Sequence, residues 1–339
     1  MAVVEIETEE AITGSGWCED GCSAISLIIE NHLSRLLIGQ DAGEIEGLWD
    51  RLFRATLHNG RKGGAIHALS AIDLALWDLA GKAAGKPVYE LLGGPVKPDI
   101  PVYASALHPV GAEKVQAEAK AYVEEGYQAM KMRFPYGPGH GIAGMRANEE
   151  HVANVRDAVG DDIEIMADAY MGWDFLYAKK MVKRLEPYRL AWLEEAFLPD
   201  DLNSYAKLRQ ETSIPISGGE HEYTRFGFQQ IIEKQAMDII QPDLRRCGGL
   251  SEGRRICSLA LANGITVIPH AYGPTHIHFA LAETAVPMIE YFPIPSWDDL
   301  PDAEVEPIFH DEPQPQNGRV TASTKPGLGV TVNERIFAG

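Results

Sequence analysis

Short hydrophobic runs alternate with amphipathic helical stretches along the chain from about residue 99 onward. Eight runs are typical of buried β-strands, and they span 100–105, 129–134, 163–169, 190–196, 214–220, 238–243, 265–270 and 287–292. Strands that alternate with helices of ordinary length indicate a parallel sheet wrapped by helices. The pattern therefore predicts an α/β fold with a (β/α)₈-type barrel rather than an open sheet.

A different pattern precedes the barrel. Residues 3–16 alternate like a strand of an antiparallel sheet, and residues 65–85 carry apolar side chains at three- and four-residue intervals. The second pattern predicts an amphipathic helix that ends at Gly85 and Pro87. We therefore expect a separate first domain over residues 1–98.

The part of the chain that follows the last predicted strand differs again. Residues 293–307 are rich in Pro and Asp, and residues 317–332 combine turn residues with a short β-like run. Neither stretch fits a barrel helix. We predict a barrel domain over residues 99–295 and a final segment, 296–339, that returns to pack on the first domain.

Polar or ionisable side chains end each predicted strand after the first. In a barrel of this kind, the carboxyl ends of the strands meet at one mouth, where the chemistry of the fold takes place. The side chains expected to meet there are Lys131, Arg133, Asp168, Glu194, Glu220, Asp243, His270 and Glu290.

Three of these residues, Asp168, Glu194 and Glu220, are acids at equivalent positions of successive strands. Three neighbouring carboxylates are costly to bury unless a cation neutralises them. Because carboxylate oxygens are hard ligands, Mg²⁺ is the expected occupant. The alternative for any one of these acids is a helix cap or an ion pair with a neighbour.

Asp243 and His270 end adjacent strands. A carboxylate beside an imidazole fixes the tautomer of the ring and raises its basicity, so the two predict a proton-transferring pair. The alternative for His270 is a buried structural histidine. His276 and His278, in a loop that enters a helix, are interpreted as structural or supporting residues.

The composition narrows the range of partners. The 339 residues are 45% hydrophobic, and 30 basic against 49 acidic side chains give a net charge of -19, which disfavours nucleic acid and anionic membranes. No apolar run approaches the roughly 18 residues of a membrane helix, and the start lacks a signal-peptide pattern, so a cytoplasmic protein is expected. The cysteines are interpreted as reduced structural residues, and they are Cys18, Cys22, Cys247 and Cys257.

Taken together, these motifs resemble the enolase superfamily, and within it the mandelate racemase group. The resemblance covers nearly the whole chain and rests on the stretch at 70–94, the three acids, the strand ends at Asp243 and His270, and the stretch at 325–330. It implies a modified (β/α)₇β TIM-like barrel with an α+β capping domain built from both chain ends. It also implies Mg²⁺ on the three acids, abstraction of a proton next to a substrate carboxylate, and assembly into a homo-oligomer.

A closer resemblance is to the L-rhamnonate dehydratase-like members, through residues 131–141, 170–175, 217–223 and 311–320. It implies a carbon–oxygen lyase that removes water from a small-molecule sugar acid. The expected substrate is an aldonate such as L-rhamnonate, L-lyxonate or L-mannonate, and the product is a 2-keto-3-deoxy acid.

The resemblance implies that racemases of this group have the pattern Lys-x-Lys at the positions where this chain has Lys131 and Arg133. Arginine stays protonated and cannot act as a base, although it can bind a carboxylate through two donors. Two-base racemisation is therefore disfavoured, and His270 is expected to act alone. We expect Lys131 to add positive charge and Glu290 to form a hydrogen bond at the substrate carboxylate.

The resemblance also points to substrate contacts and to two departures. His221 and Tyr170 are candidate substrate contacts, and so is Arg61 in the loop 57–64. The alternative for His221 is a supporting role beside the metal ligand, and the alternative for Arg61 is a solvated surface charge. Glu194 is followed by Glu-Ala-Phe, where many relatives have a proline two residues on. The chain also starts at what resembles the middle of the usual first sheet, so the preceding strand and its specificity loop are expected to be missing.

Three alternatives stay open at this point. One is a racemase, epimerase or cycloisomerase of the same superfamily, which the presence of Arg133 disfavours. Another is a metal-free Schiff-base enzyme that uses Lys131. The third is a non-catalytic scaffold that binds sugar acids, which would be expected to lack an acid or His270.

Overall fold

The computed structural model describes residues 1–18, 23–293 and 308–337. Cys22 and nearly all of the Pro- and Asp-rich stretch at 293–307 lie outside the described residues. Cys247 and Cys257 are buried free thiols, as expected, and Cys18 is also buried.

The chain begins with a hairpin, in which β1 (Ala2–Glu7) pairs antiparallel with β2 (Thr13–Cys18). The helices α1 (Ala24–Ile28), α2 (Ile45–Thr56), α3 (Gly64–Ala84) and α4 (Val88–Leu91) follow. Helix α3 packs so closely on the hairpin that a Cβ atom on Gly16 would lie 2.1 Å from the Ala71 carbonyl oxygen. It ends at Gly85, whose φ of 63° is left-handed, so the predicted helix end is confirmed.

Eight parallel strands form the main sheet, in the order β10-β3-β4-β5-β6-β7-β8-β9. These strands are β3 (Ile100–Ser105), β4 (Ala129–Arg133), β5 (Glu164–Asp168), β6 (Leu193–Glu194), β7 (Ile216–Gly218), β8 (Ile239–Ile240), β9 (Thr266–Val267) and β10 (Ile289–Tyr291). The connecting helices are α5 (Ala112–Glu124), α6 (Gly141–Val159), α7 (Phe175–Leu185), α8 (Leu202–Arg209), α9 (Thr224–Glu233), α10 (Gly249–Ala262) and α11 (Pro274–Ala282). The last of these strands, β10, pairs with β3, so the predicted TIM-like barrel is confirmed. The hairpin and the helices α1–α4 form the predicted capping unit.

The final segment carries three short strands, β11 (Phe309–His310), β12 (Arg319–Val320) and β13 (Thr331–Val332). β11 pairs with β13, whereas β12 pairs antiparallel with the barrel strand β3. The segment also meets the first hundred residues, since Val88 N donates to Gly327 O at 2.9 Å and Leu328 N donates to Asp78 Oδ1 at 2.7 Å. It thus contacts both parts of the molecule, while the domain boundaries given above stay a prediction.

Three hydrophobic clusters hold this architecture together. The largest lies between the sheet and its helices, and a second joins the hairpin to α2 and α3. The third fills the inside of the barrel with Tyr103, Ala129, Met166, Trp192 and Ile268. Because strand residues two apart face the same side, this inner layer predicts that Lys131, Asp168 and Glu194 also point inward.

Hydrogen bonds from α3 fix the loop between β8 and α10. Ser70 Oγ accepts from Gly248 N at 2.9 Å, and Asp73 accepts from the backbone and the hydroxyl of Ser251 at 2.9 Å and 2.6 Å. All four groups are buried. The capping unit therefore holds in place a loop that begins at the mouth of the barrel.

Within the described residues, no helix combines the length and the apolar character needed to cross a bilayer.

Candidate active site

A cavity of about 320 Å³ opens at the carboxyl ends of the barrel strands. Its lining combines acids, cations, an imidazole and two aromatic rings, contributed by Arg133, Asp168, Tyr170, Glu220, Arg245, Arg246, His270 and Phe292. Five of these residues were predicted from the sequence. The cavity lies where the barrel fold places its chemistry.

His270 and Asp243 form the predicted pair, with His270 Nδ1 at 2.8 Å from Asp243 Oδ2. On the other side of the ring, Nε2 lies 3.4 Å from Glu220 Oε2 and 3.9 Å from Glu290 Oε2. Burial alone lowers the pKa of His270, but Glu220 and the hydrogen bond to Asp243 outweigh it and raise the pKa to about 9. The pair therefore directs Nε2 into the cavity.

Arg245 holds the Asp243 carboxylate. Its backbone N and Nε bind Oδ1 at 2.8 Å and 3.0 Å, and Nη2 binds Oδ2 at 2.8 Å. Burial opposes ionisation of Asp243, but the Arg245 charge and the His270 hydrogen bond hold its pKa well below the usual range. Asp243 is thus a carboxylate, and its acceptor oxygen places the proton of His270 on Nδ1.

Lys131 lies below the cavity between two acids. Its ammonium pairs with Glu194 and lies 3.0 Å from Glu290 Oε1, and all three side chains are essentially inaccessible to solvent. Burial lowers the pKa of Lys131, but the two carboxylates raise it well above its usual value. A lysine that forms a Schiff base needs a lowered pKa. The raised pKa of Lys131 therefore disfavours a metal-free Schiff-base enzyme.

Glu194 is the one predicted metal ligand that does not line the cavity. Its carboxylate faces into the barrel and accepts hydrogen bonds from Trp192 Nε1 at 2.8 Å and Gln241 Nε2 at 2.7 Å, besides the Lys131 pair. Asp168 stands beside it in register on the next strand. Burial, with Glu194 as a neighbouring charge, raises the pKa of Asp168 to about 7.

A second imidazole–carboxylate pair lies on another wall of the mouth. His221 Nδ1 is 2.9 Å and 3.0 Å from the two oxygens of Glu195, and 3.6 Å from Glu220 Oε1. One ligand atom from each of Glu195, Glu220 and His221 lies within 4.8 Å of the others. Glu220 thus belongs both to this group and to the predicted metal triad.

The donor set at this mouth fits a hard divalent cation. Asp168 and Glu220 are buried acids of the cavity lining, and Glu194 lies buried beside Asp168 on the neighbouring strand. Burial, together with the charge of Glu194, raises the pKa of Asp168. Oxygen donors of this kind suit Mg²⁺. Glu195 and His221 are additional donors within reach of Glu220.

The remaining predicted residues divide between the cavity and the surface. Arg133 lines the cavity and donates from Nη1 to Ser105 Oγ at 3.3 Å. Tyr170 is 62% exposed at the rim, with its ring centroid 6.0 Å from that of His221. Arg61 is exposed and is not part of the cavity lining among the described residues, so its role stays a prediction.

Sequence reasoning missed Glu195, Arg245 and Arg246. Arg246 Nη1 lies 3.3 Å from Glu220 Oε1, and its Nε lies 3.5 Å from Asp243 Oδ2. The signal was present, because Glu195 directly follows Glu194, and the two arginines follow Asp243 by two and three residues. A charged residue just beyond a strand end reaches the same mouth as the strand end itself.

Two family models match this chain. "Mandelate racemase / muconate lactonizing enzyme, N-terminal domain" matches residues 1–93, and "Enolase C-terminal domain-like" matches residues 114–336. A protein of Caldivirga maquilingensis, provisionally named L-rhamnonate dehydratase, is 40% identical over 99% of this chain and 82% of its own length.

Solved structures agree with these matches. Rhamnonate dehydratase from Gibberella zeae complexed with Mg superposes with a TM-score of 0.87 at 36% identity, covering 99% of this chain and 81% of that one. The 3,6-anhydro-D-galactonate cycloisomerase from Zobellia galactanivorans gives a TM-score of 0.89 at 30% identity, covering 99% and 92%. The shared fold therefore accommodates more than one reaction, and the site must separate them.

Proposed function

Because this chain belongs to the enolase superfamily, in its mandelate racemase and muconate lactonizing enzyme family, we propose that it catalyses the Mg²⁺-dependent dehydration of an aldonate to a 2-keto-3-deoxy acid. The relatives support the more general part of this proposal, namely that the chain is a hydro-lyase acting on acid sugars. The substrates that we propose are L-rhamnonate, L-lyxonate and L-mannonate. Assembly into a homo-oligomer and a cytoplasmic location stay predictions.

The observation that carries the proposal is the His270–Asp243 pair opposite an arginine. His270 Nε2 faces the cavity, and Asp243 Oδ2 holds Nδ1 at 2.8 Å, so the imidazole is oriented to accept a proton. Arg133 lines the same cavity and cannot act as a second base. One base suffices for dehydration, whereas racemisation through two faces needs two.

The proposed proton path uses one histidine for both steps. His270 Nε2 removes the C2 proton, and the C–H electrons move toward the substrate carboxylate to give an enediolate. The enediolate then forms the C2–C3 double bond as the 3-hydroxyl departs, and the His270 imidazolium returns its proton to that hydroxyl, so that water leaves. The resulting enol becomes the 2-keto-3-deoxy acid, and His270 is neutral again.

Asp168, Glu194 and Glu220 are the residues that we propose to hold Mg²⁺. The ion would supply positive charge at the carboxylate end of the substrate. Arg133 is placed to bind a carboxylate through its guanidinium fork. Lys131 pairs with Glu290 inside the barrel, and we propose that it adds positive charge from there.

The experiment is an assay of 2-keto-3-deoxy acid formation over a panel of aldonates and aldarates, with Mg²⁺ and with chelator. We expect turnover of one or two aldonates that chelation abolishes and added Mg²⁺ restores. Scrambling of the C2 configuration without loss of water would instead support a racemase. Turnover that survives complete chelation would contradict the proposal.

The assay needs a base variant and a matched control. His270→Asn should lack turnover, while His151→Asn should keep it, because His151 is also buried but bonds the Leu107 carbonyl oxygen, away from the cavity. Both variants replace a buried histidine with the same residue. Full activity in His270→Asn would remove the assigned base.

A further inference from the structure

Arg245 belongs to a buried cluster made from three distant parts of the chain. Its guanidinium carbon lies 4.7 Å from the ring centroid of Trp17, which comes from β2. Trp17 in turn packs edge-on against Phe309 of the final segment, with the ring centroids 5.8 Å apart. Trp17 and Phe309 are 4% and 2% exposed, so the cluster is closed to solvent.

The cluster closes directly behind the catalytic pair. Gly273, three residues after His270, has a φ of 131°, and a Cβ atom there would lie 3.2 Å from Glu312 Oε1 and 3.6 Å from the Trp17 ring. Glu312 belongs to the final segment. Residues from both the first and the final part of the chain therefore meet beside Arg245, which binds the Asp243 carboxylate and also reaches the cavity lining.

The geometry of Arg245 leaves the Asp243 carboxylate little freedom. Three donors from Arg245 bind both of its oxygens, and His270 Nδ1 also binds Oδ2. Arg246 Nε and His276 Nε2 lie farther away, at 3.5 Å from Oδ2 and 3.7 Å from Oδ1. The flat guanidinium is itself fixed by stacking on the Trp17 ring. An indole ring from a distant part of the chain thus packs on the guanidinium that binds Asp243.

We propose that Arg245, clamped by Trp17, is a positioning residue that sets the orientation of Asp243 and, through it, the tautomer and direction of the His270 imidazole. The inference rests on the proposed function, in which His270 is the base. It adds a role for the capping unit in proton transfer, distinct from substrate recognition. Arg245 acts through Asp243 and not by contact with the reacting atoms.

The chain offers a matched control in a second arginine of the same kind. Arg225 pairs with the buried Glu252 at 2.8 Å, and its guanidinium carbon lies 5.3 Å from the Trp49 ring centroid. Trp49 also belongs to the capping unit, on α2. Loss of Arg225 therefore removes a comparable ion pair and stack without touching the His270–Asp243 pair.

The test compares Arg245→Gln with Arg225→Gln by steady-state kinetics on the aldonate that the wild type dehydrates. We expect kcat to fall roughly 10- to 100-fold in Arg245→Gln with KM within about twofold, and both constants to stay within about twofold in Arg225→Gln. Substrate deuterated at C2 should show a larger isotope effect on kcat in Arg245→Gln. Equal kcat losses in the two variants would overturn the proposal, because they would indicate general destabilisation.

The clamp is tested separately at Trp17. Trp17→Leu should reproduce part of the kcat loss, Trp17→Phe should restore most of it, and Trp17→Leu combined with Arg245→Gln should be no slower than Arg245→Gln alone. Additive losses in the double variant would overturn the clamp. If Arg245→Gln does not fold, Arg245→Lys serves as the second variant, because it keeps the charge but lacks the guanidinium fork. It should lower kcat while KM stays unchanged. A wild-type kcat in Arg245→Lys would overturn the proposal.

A spectroscopic measurement separates this inference from the proposed function. ¹⁵N NMR of the histidine rings, recorded at a pH above the raised pKa of His270 so that the ring is neutral, and with His270 assigned by its disappearance in His270→Asn, should show Nδ1–H in the wild type and a mixture of tautomers in Arg245→Gln. An unchanged tautomer would overturn the inference. Because this readout needs no substrate, it remains decisive even if the wild type dehydrates no aldonate and the proposed function fails.

Discussion

Two imidazole–carboxylate pairs of the described residues face the same barrel mouth, and they differ in how the carboxylate is held. His270 and His221 each place Nδ1 within 2.9 Å of a buried carboxylate. Asp243, behind His270, is gripped by the Arg245 fork, and its pKa is held well below the usual range. Burial instead raises the pKa of Glu195, whose carboxylate has hydrogen bonds with His221 among the described residues.

The difference teaches that a carboxylate beside an imidazole is not enough to define a catalytic pair. The carboxylate must itself be held ionised and oriented, otherwise the proton has no fixed position between the two groups. An arginine fork provides this at Asp243. At Glu195, the proximity of Glu220 and the partial exposure of His221 suit a role in binding cations or substrate hydroxyls.

The largest expected effect is the loss of metal binding. It should occur in variants of the three predicted metal ligands and not in a variant of Glu195, the partner of His221. Chelation should abolish dehydration, and Asp168→Asn, Glu194→Gln and Glu220→Gln should each lose binding of Mn²⁺ as a spectroscopic substitute for Mg²⁺. Glu195→Gln should keep Mn²⁺ binding, measured by electron paramagnetic resonance titration. The opposite ranking, with Glu195 required and Glu194 dispensable, would assign the metal to the Glu195, Glu220 and His221 group.

The next largest effect on the kinetic constants is expected when the imidazole of either pair is removed by substitution. We expect His270→Asn to lower kcat by about 10³-fold or more, within the range for an acid–base group that acts twice. His221→Asn should lower kcat/KM by roughly tenfold, mainly through KM, because its proposed contact is with substrate hydroxyls. Similar kcat losses in the two variants, measured with the same aldonate, would erase the distinction between the pairs.

A smaller effect is expected at the carboxylates. Asp243→Asn should cost roughly 10²-fold in kcat, because an amide can donate to Nδ1 and stabilise the wrong tautomer. Glu195→Gln should cost less than tenfold. Steady-state kinetics at saturating Mg²⁺ checks both, and a larger loss at Glu195 than at Asp243 would contradict the comparison.

The smallest expected effect concerns a histidine without a carboxylate partner. His278 accepts from Tyr89 N through Nδ1 at 3.1 Å and approaches Leu328 O through Nε2 at 3.2 Å, and burial lowers its pKa to about 4. The unfolded chain binds this proton near pH 6.5, so the stability contributed by neutral His278 is complete above that pH and is lost as the pH falls toward 4.

This contribution can be measured by denaturant unfolding at pH 7 and pH 5. His278 alone should account for a drop of about 2 kcal/mol in the free energy of unfolding of the wild type over this interval. His278→Gln should show a correspondingly smaller drop, although it starts from a lower stability at pH 7. Parallel pH profiles for the two proteins would show that His278 does not titrate as its burial implies.

Strand-end residues were the most predictable part of the molecule. The period of hydrophobic runs located eight strands, and fold geometry then required that Asp168, Glu220 and His270 meet at one mouth, as they do. Strand lengths were less predictable. The run 190–196 gives a ladder of only Leu193–Glu194, because the following residues leave the sheet to form the mouth.

Side-chain direction beyond the strand was the part that the sequence could not supply. Glu194 was expected at the mouth but turns into the barrel toward Lys131, and the neighbouring Glu195 reaches His221 instead. Whether an acid just after a strand faces in or out depends on the loop that follows, where Glu195 has a φ of 40°. The Arg245 stack on Trp17 joins residues far apart in the chain, which no local pattern encodes.

The packing of Trp17 against Phe309 has a consequence for synthesis on the ribosome. The indole ring leaves the exit tunnel before every barrel strand, but the ring that packs against it is translated only after all of them. Contacts between such distant residues form late, because long loops must close first. Trp17 must therefore wait until Phe309 has emerged, and a nascent chain with all eight strands folded still lacks the aromatic contact behind Arg245.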